Sequence, residues 1–163
     1  MKCYLFISVR GVATTQKMAA AHDGDLGASF DVMCLLRLSK LYNHLMSYCQ
    51  PEIVIVGTKS IDERFTITYE FANAGMMTKF SDRKYDTAIE IADWAVKNSV
   101  ALDRVPFVFI GDSVHDNIRM FSRGNLVWVR SGYEKRGFEE KHQSRALRKI
   151  LAQILFLNAH RTF

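Results

Sequence analysis

Two aspartates four residues apart follow an apolar run in the second half of the chain. Residues 108–120 read VFIGDSVHDNIRM, in which the apolar run 107–110 meets Gly111, Asp112 follows directly, and Asp116 comes four residues later. An apolar run that meets a glycine and acidic residues is typical of a buried strand ending in an acidic loop. Carboxylate oxygens are preferred ligands of Mg²⁺. The pattern therefore predicts a divalent-cation site, and a simple loop with a helix cap is the structural alternative.

Hydroxyl and basic residues follow the other apolar runs. Ser8 and Arg10 come after CYLFI, Thr58 follows EIVIVG, and Lys84, or its neighbour Arg83, precedes a helical pattern. Polar side chains therefore stand directly after two of the apolar runs and before a helical pattern.

Short apolar runs alternate with helical periodicity along the chain. We predict strands at 3–9, 52–58, 76–80, 105–111 and 125–131, and helices at about 30–50, 61–74, 82–98, 114–121 and 140–158. Such alternation indicates an α/β fold with a largely parallel sheet covered on both faces. Ligands of these sheets lie beyond the carboxyl ends of the strands, so residues 8–11, 57–60 and 111–116 should converge on one crevice.

Capping residues and apolar spacing define the helices more closely. Ser29 or Asp31 should cap the first helix, Ser60 with Glu63 forms a capping-box pattern, and Asp82 or Asp86 should open the third. The side chains expected to face the core are Val32, Leu35, Leu36, Leu38, Leu41, Leu45, Ala88, Ile91, Ala92 and Ala95, and in the last helix Leu147, Ile150, Leu151, Ile154 and Leu155. Trp94 and Trp128 are also expected in the core.

The order of these segments resembles the haloacid dehalogenase (HAD) superfamily of phosphohydrolases over roughly residues 3–131. The stretch GDSVHD matches the family's fourth motif, IVIVGTKS its second, and Lys84 or Arg83 its third. The resemblance implies that Thr58 is the likeliest hydroxyl to contact a phosphate and that Lys84 binds it as well. The likeness is closest to small, nearly capless members, including phosphatase-like domains linked to nucleic-acid repair. It implies a three-layer α/β/α, Rossmann-like parallel sheet with little or no cap, followed here by a C-terminal amphipathic helix.

The family's first motif is altered in this chain. LFISVRGVATT aligns with LFLDxDGVLTT, which leaves Ser8 at the nucleophile position and Arg10 at the general acid/base position, while Gly11 and Val12 are kept. In the family, the first aspartate of this motif attacks phosphorus and forms an aspartyl-phosphate. The second aspartate protonates the leaving oxygen. A serine is neutral at pH 7, and an arginine with a pKa above about 12 does not give up a proton in this role. The resemblance therefore implies a degenerate enzyme with a weak or absent Mg²⁺ site at Asp112 and Asp116.

The sequence leaves three functions open. The leading hypothesis is a pseudoenzyme that binds a phosphorylated ligand, a nucleic acid or a protein partner. In it Arg10 either binds an anion with Thr58 and Lys84, or fills the metal's place by pairing with Asp112 or Asp116. The rival is an active Mg²⁺-dependent phosphohydrolase, a nucleotide or polynucleotide-end phosphatase with a rearranged nucleophile. An acidic-site nuclease ranks last, because the first strand lacks the acid it needs.

Length and charge favour one domain with a basic end. We expect residues 1–163 to form a single domain, with a core at about 3–131 and a basic C-terminal extension at about 132–163. Residues 130–163 hold eight Lys or Arg and three Asp or Glu, whereas the rest of the chain holds 14 of each sign. The extension is either a solvated helix face, which we favour, or a surface for nucleic acid, and its helix offers a route to a homo-oligomer.

Cysteine usage and hydropathy suggest a soluble protein of the cytoplasm. Cys3, Cys34 and Cys49 show no metal-ligand spacing, and their odd number predicts free thiols. No apolar run approaches the ~18 residues of a membrane helix, so no membrane association is expected. The acidic loop at 22–25 and the loop residue His115 are secondary candidates, for which a turn and a solvent-facing side chain are the structural alternatives.

Overall fold

Five parallel strands form the centre of the chain in the computed structural model, which describes residues 1–15, 29–84, 86–112, 122–129 and 136–161. The strands are β1 Lys2–Ser8, β2 Gln50–Val56, β3 Thr78–Phe80, β4 Phe107–Gly111 and β5 Leu126–Trp128. The helices are α1 Val32–Leu45, α2 Ile61–Asn73, α3 Thr87–Lys97 and α4 Glu140–Ala159, and a 3₁₀ turn spans Arg123–Asn125. The alternation predicted from the sequence is confirmed; the helix expected at 114–121 lies outside the described residues.

The strands follow the order β3-β2-β1-β4-β5, and every neighbouring pair is parallel. The chain adds β2 and β3 on one side of β1 and then crosses to place β4 and β5 on the other. Ser8 pairs with Val56 and Ile7 pairs with Ile110, so the carboxyl ends of β1, β2 and β4 lie level. This is an α/β, Rossmann-like sheet whose strand order reverses between β1 and β4, the place where such sheets bind ligands.

Alternate side chains of β1 divide the core between the two faces of the sheet. Leu5 and Ile7 belong to the cluster that α1, α2 and α4 cover, whereas Tyr4 and Phe6 pack with Trp94 of α3. All five side chains are almost completely buried. Both faces of a parallel sheet must be covered in this way, which explains why the strands read as continuous apolar runs.

The first three helices each have an N-cap that the sequence predicts, but only the Ser60 half of the Ser60–Glu63 capping box is formed, because Glu63 accepts from the Lys59 N–H instead. The Asp31 carboxylate accepts hydrogen bonds from the first N–H groups of α1, Ser60 Oγ accepts from the Glu63 N–H at 3.2 Å, and the Asp86 carboxylate accepts from the start of α3. Each cap satisfies N–H groups that a helix start leaves without a partner. The structure thus decides between the alternatives in favour of Asp31 over Ser29 and of Asp86 over Asp82.

Several side chains expected in the core are exposed. Val32, Leu36 and Leu155 are 69%, 47% and 71% exposed, and Ala92 is also exposed. A helix that lies on a sheet buries one stripe of its surface, and these residues fall beside the stripe. Trp94 is buried as predicted, whereas Trp128 is only half-buried.

Cys3 and Cys49 form a disulfide with a Cα–Cα distance of 6.1 Å. The expectation of free thiols at these two positions is therefore wrong. The pairing follows from the sheet, because Cys3 of β1 lies beside Pro51 of β2 and Cys49 immediately precedes β2. Cys34 is a free, buried thiol, as predicted.

The C-terminal helix packs on its own chain. Ala146 and Ile150 of α4 are fully buried, and Leu147 and Ile154 pack against the same core cluster. Gln153 fixes the helix to β4, because its amide accepts from the Phe107 N–H and donates to the Phe107 carbonyl, both at 2.9 Å. Across the described ranges, no helix has the length and apolarity needed to cross a membrane.

Candidate functional site

A small cavity of about 40 Å³ lies at the carboxyl ends of β1 and β2. Its polar lining comes from Ser8 and Arg10 after β1, Thr58 after β2, and Glu63 in the first turn of α2. The structure thus brings together three residues that the sequence predicts for this crevice. It also adds Glu63, which the sequence predicts only as part of a helix cap.

Arg10 and Glu63, which both line this cavity, form an ion pair. Arg10 Nη2 donates to Glu63 Oε1, and the Lys59 N–H donates to Glu63 Oε2 at 2.5 Å. The Arg10 side chain is 51% exposed and that of Glu63 only 15%. Burial by itself would raise the pKa of Glu63, but the hydrogen bonds from the Lys59 N–H and from Arg10 outweigh it and lower the pKa. Glu63 is therefore an ionised partner for Arg10, one that neither sequence-based alternative names.

Thr58 is buried and its hydroxyl is already engaged. Thr58 Oγ1 accepts a hydrogen bond from Arg64 Nε at 3.2 Å, and Arg64 Nη2 donates to the Ser81 carbonyl at 2.9 Å. The Arg64 guanidinium also lies 5.4 Å from the centre of the Phe80 ring. Arg64 therefore fixes the loop after β2 to the end of β3 and leaves the hydroxyl proton of Thr58 to donate elsewhere.

Glu90 is a buried carboxylate that joins two segments of the site. Its Oε2 accepts from the Gly57 N–H at 2.7 Å and from Ser81 Oγ at 2.5 Å, and its Oε1 accepts from the Lys84 N–H at 2.9 Å. Glu90 is only 2% exposed. It is a positioning residue that holds the loops carrying Thr58 and Lys84 at the same edge of the sheet.

The backbone N–H of Lys84 is bonded to Glu90, whereas its charged side chain lies beside Asp93. Its ammonium lies 3.6 Å from the Asp93 carboxylate on α3, and both side chains are more than a third exposed. The neighbouring Arg83 is also exposed. In this arrangement Lys84 does not line the cavity, so a phosphate contact would require its side chain to turn away from Asp93.

Asp112 lies at the end of β4 against the loop that follows β1. A Cβ added to Gly11 would lie 1.8 Å from Asp112 Oδ2, and Gly11 has a φ of +80°. The predicted partner Asp116, as well as His115 and the acidic loop at 22–25, lies outside the described residues. Among the residues whose positions are described, no three acidic, histidine or cysteine side chains are grouped to hold a metal ion.

No model of a known protein family matches the chain, and neither does any curated protein or solved structure. The likeness to haloacid dehalogenases therefore rests on the motifs in the sequence. The arguments for function rest on the parallel sheet and on the groups at its carboxyl edge.

Proposed function

We propose that this chain is a HAD-like, catalytically degenerate domain that binds a phosphorylated ligand where β1, β2 and β4 end. The observation that carries the proposal is the Arg10–Glu63 ion pair in the cavity that Ser8 and Thr58 also line. The half-exposed guanidinium of Arg10 therefore lies at the edge of the sheet where ligands of this fold bind. Guanidinium groups match phosphate oxygens through paired N–H donors.

At the first-motif positions, which the structure describes, the two carboxylates of ordinary aspartyl-phosphate chemistry are replaced by Ser8 and Arg10. Ser8 offers a neutral hydroxyl, and Arg10 is a permanent cation. Glu63, the acid that lines the cavity with them, has a lowered pKa and is held in its ionised form by Arg10 and Lys59. An ionised carboxylate has no proton to give a leaving oxygen, so general-acid catalysis by Glu63 would require the ion pair to open.

Binding is the function that these groups support better. Ser8 and Thr58 carry hydroxyl protons, Arg10 has N–H groups that Glu63 does not use, and α2 directs the positive end of its dipole toward the loop after β2. A phosphate would compete with Glu63 for Arg10. Glu63 then acts as an internal anion that orients Arg10 and lowers the affinity of the site for phosphate.

The experiment is a calorimetric titration with inorganic phosphate and with a nucleoside monophosphate. Arg10→Gln should abolish binding, whereas Glu63→Gln should strengthen it about tenfold, because Gln still accepts from the Lys59 N–H but no longer neutralises Arg10. Arg104→Gln, at an exposed position elsewhere, is the matched control and should bind as the unaltered chain does. Equal affinity in the Arg10→Gln and unaltered chains would disprove the proposal.

The second candidate is an active phosphohydrolase. Its support is that Glu63 lines the same cavity as Ser8 and could supply the carboxylate missing from the first motif. A panel of phosphate esters with Mg²⁺ or Mn²⁺ separates the two functions. Turnover that Glu63→Gln and Asp112→Asn both abolish would replace the binding proposal, whereas no turnover with intact phosphate binding supports it.

A further inference from the structure

A second, larger cleft lies at the opposite end of the sheet from the site described above. Its volume is about 640 Å³, and it runs between α4, the start of β4 and the 3₁₀ turn before β5. Pockets for small molecules are typically about 300–1,000 Å³. The apolar part of its lining comes from Leu102, Val105, Phe107, Ala152, Phe156 and Leu157.

The uncharged polar groups of the cleft are already paired. Gln153 bonds to the Phe107 backbone and donates to the Gly124 carbonyl at 2.9 Å. Asn125 Nδ2 donates to the Phe107 carbonyl at 3.0 Å, and Asn125 Oδ1 accepts from Ser122 Oγ at 2.5 Å. A ligand in the cleft would therefore contact a largely apolar surface, and a polar ligand would find few hydrogen-bond partners among these uncharged groups.

Three cations of α4 border the same cleft: Arg145, Arg148 and Lys149. Lys149 Nζ donates to the carbonyls of Arg123 and Leu126, both at 2.5 Å, which fixes the helix to the turn. Arg145 and Arg148 are exposed, and no ion pair joins either to a carboxylate within the described part of the chain. The cleft also holds one acid in its described lining, Asp103, so the cations outnumber it.

We propose that this cleft binds a small amphipathic anion, a molecule with an aliphatic or aromatic body and one carboxylate, sulfate or phosphate group. The body covers the apolar lining around Phe107 and Phe156, and the acid bonds to Arg145 and Arg148. The two arginines stand three positions apart on α4 and so lie on the same side of the helix.

The electrostatics of Lys149 agree with this occupant. Burial lowers the pKa of Lys149, and the nearby charges of Arg145 and Arg148 lower it further. Like charges are thus crowded along one wall of an apolar cleft. An anion placed among them reduces the repulsion, whereas a neutral or cationic ligand does not.

The test uses octanoate and octyl phosphate as probes in calorimetric titrations of the full chain. Both should bind with one-to-one stoichiometry, and octylammonium, with the same body and the opposite charge, should bind at least about tenfold more weakly. If octylammonium binds as tightly as octanoate, or if neither anion binds, the proposal is overturned.

Substitutions in the cleft test separately the contribution of its positive charge and that of its apolar lining to octanoate binding. Arg145→Gln with Arg148→Gln should weaken octanoate binding about tenfold or more, and Ala152→Trp, at an exposed position of the lining, should block the cleft and abolish it. Lys141→Gln with Arg161→Gln removes the same charge from the same end of the chain outside the cleft and should leave binding unchanged. Unaltered affinity in both cleft variants would overturn the proposal.

Two further measurements separate the cleft from the site at the carboxyl edge and from a lipid surface. Arg10→Gln should leave octanoate binding unchanged, so that the two sites succeed or fail independently. Sedimentation with phosphatidylglycerol vesicles tests whether the anion belongs to a lipid surface. Binding to vesicles without binding of monomeric octyl phosphate would overturn the small-molecule proposal.

Discussion

Gly11 and Asp112 are in direct contact across the carboxyl ends of β1 and β4. A Cβ on Gly11 would lie 1.8 Å from Asp112 Oδ2 and 2.5 Å from its Cγ. Gly11 also has a φ of +80°, a conformation that other residues rarely adopt. Two independent constraints therefore require glycine at the position where the loop after β1 meets Asp112.

Gly11→Ala should destabilise the chain and displace Asp112. The left-handed conformation costs about 1–2 kcal/mol for a residue with a side chain, and the overlap with Asp112 adds a further cost of about 1–3 kcal/mol. Gly75→Ala is the matched control, because Gly75 has a φ of +82° and nothing within 4 Å of its added Cβ. Urea unfolding measures both variants. Equal losses of stability would show that the contact with Asp112 contributes nothing.

Glu90 should be one of the most sensitive polar residues in the chain. Glu90→Ala leaves the N–H groups of Gly57 and Lys84 and the Ser81 hydroxyl without their acceptor, each at a cost of about 1–3 kcal/mol. Unfolding in urea should show a loss of several kcal/mol for Glu90→Ala and a smaller loss for Glu90→Gln, which keeps one acceptor oxygen. Exposed Glu140→Gln should change stability by less than about 0.5 kcal/mol. A loss no larger than this for Glu90→Ala would show that the three donors find other partners.

The sequence correctly predicted the strands and helix starts around the site, because these elements depend on local sequence signals. Apolar runs located β1, β2 and β4, and side chains such as Asp31 and Ser60 located the helix starts. Parallel strands bring their carboxyl ends to one edge, so the convergence of Ser8, Thr58 and Asp112 followed from the fold class.

The partners within the site could not be predicted, because they depend on contacts between distant segments. Glu63 is separated from Arg10 by 53 positions, and its spacing from Ser60 fitted a helix cap. In the structure Ser60 does cap α2, but the Glu63 carboxylate turns to Arg10 and the Lys59 N–H. The Ser60–Glu63 pattern thus predicted the helix start correctly, but it did not indicate that Glu63 pairs with Arg10.

Glu90 and the disulfide were missed for related reasons. Glu90 lies among the apolar positions of α3 in the sequence, where an acid normally indicates the solvent side of a helix. Only its three donors, which come from other segments, explain its burial. Cys3 and Cys49 are 46 positions apart, and their pairing required knowledge that β1 and β2 are neighbours in register.

The thiol content of the folded chain should therefore be one rather than three. Cys3 and Cys49 are paired, and burial, followed by the charge of Asp31, raises the pKa of Cys34 to about 11. Only the thiolate reacts rapidly, so Ellman's reagent at about pH 8 should detect almost no thiol in the folded chain. It should detect one in denaturant and three after reduction. Three thiols in denaturant without a reductant would disprove the disulfide.

The disulfide should also stabilise the folded chain, because it closes a long loop between β1 and β2. A bridge of this kind typically contributes about 2–4 kcal/mol by restricting the unfolded chain. Replacing Cys3 and Cys49 together by alanine should lower the unfolding free energy by about this amount, as measured in urea without a reductant. Cys34→Ala keeps the bridge and serves as the control for loss of a buried sulfur. Unfolding curves that coincide with and without reductant would contradict the prediction.

His142 is a buried histidine at the start of α4, and its ring nitrogen Nδ1 serves as a hydrogen-bond acceptor. Its Nδ1 accepts a hydrogen bond from the Glu139 N–H at 2.9 Å, and its ring stacks on Phe138 with centres 5.9 Å apart. Burial, with a further contribution from Lys141, lowers the pKa of His142 to about 4; Glu139 opposes this shift and Arg145 adds to it. A proton on Nδ1 would also remove the acceptor for the Glu139 N–H.

Stability should consequently fall as the pH is lowered through this range. The unfolded chain protonates His142 near its ordinary pKa of 6.5 and the folded chain only near 4, so the unfolded state binds more protons between these values. The loss should begin below about pH 6.5 and approach roughly 3 kcal/mol near pH 4, and urea unfolding at a series of pH values from about 7.5 down to about 4.5 measures it. His142→Asn keeps an acceptor in the same place and should remove most of this dependence, whereas His44→Asn, at an exposed position, should keep it. A His142→Asn chain that loses stability as steeply as the unaltered chain would assign the effect to other groups.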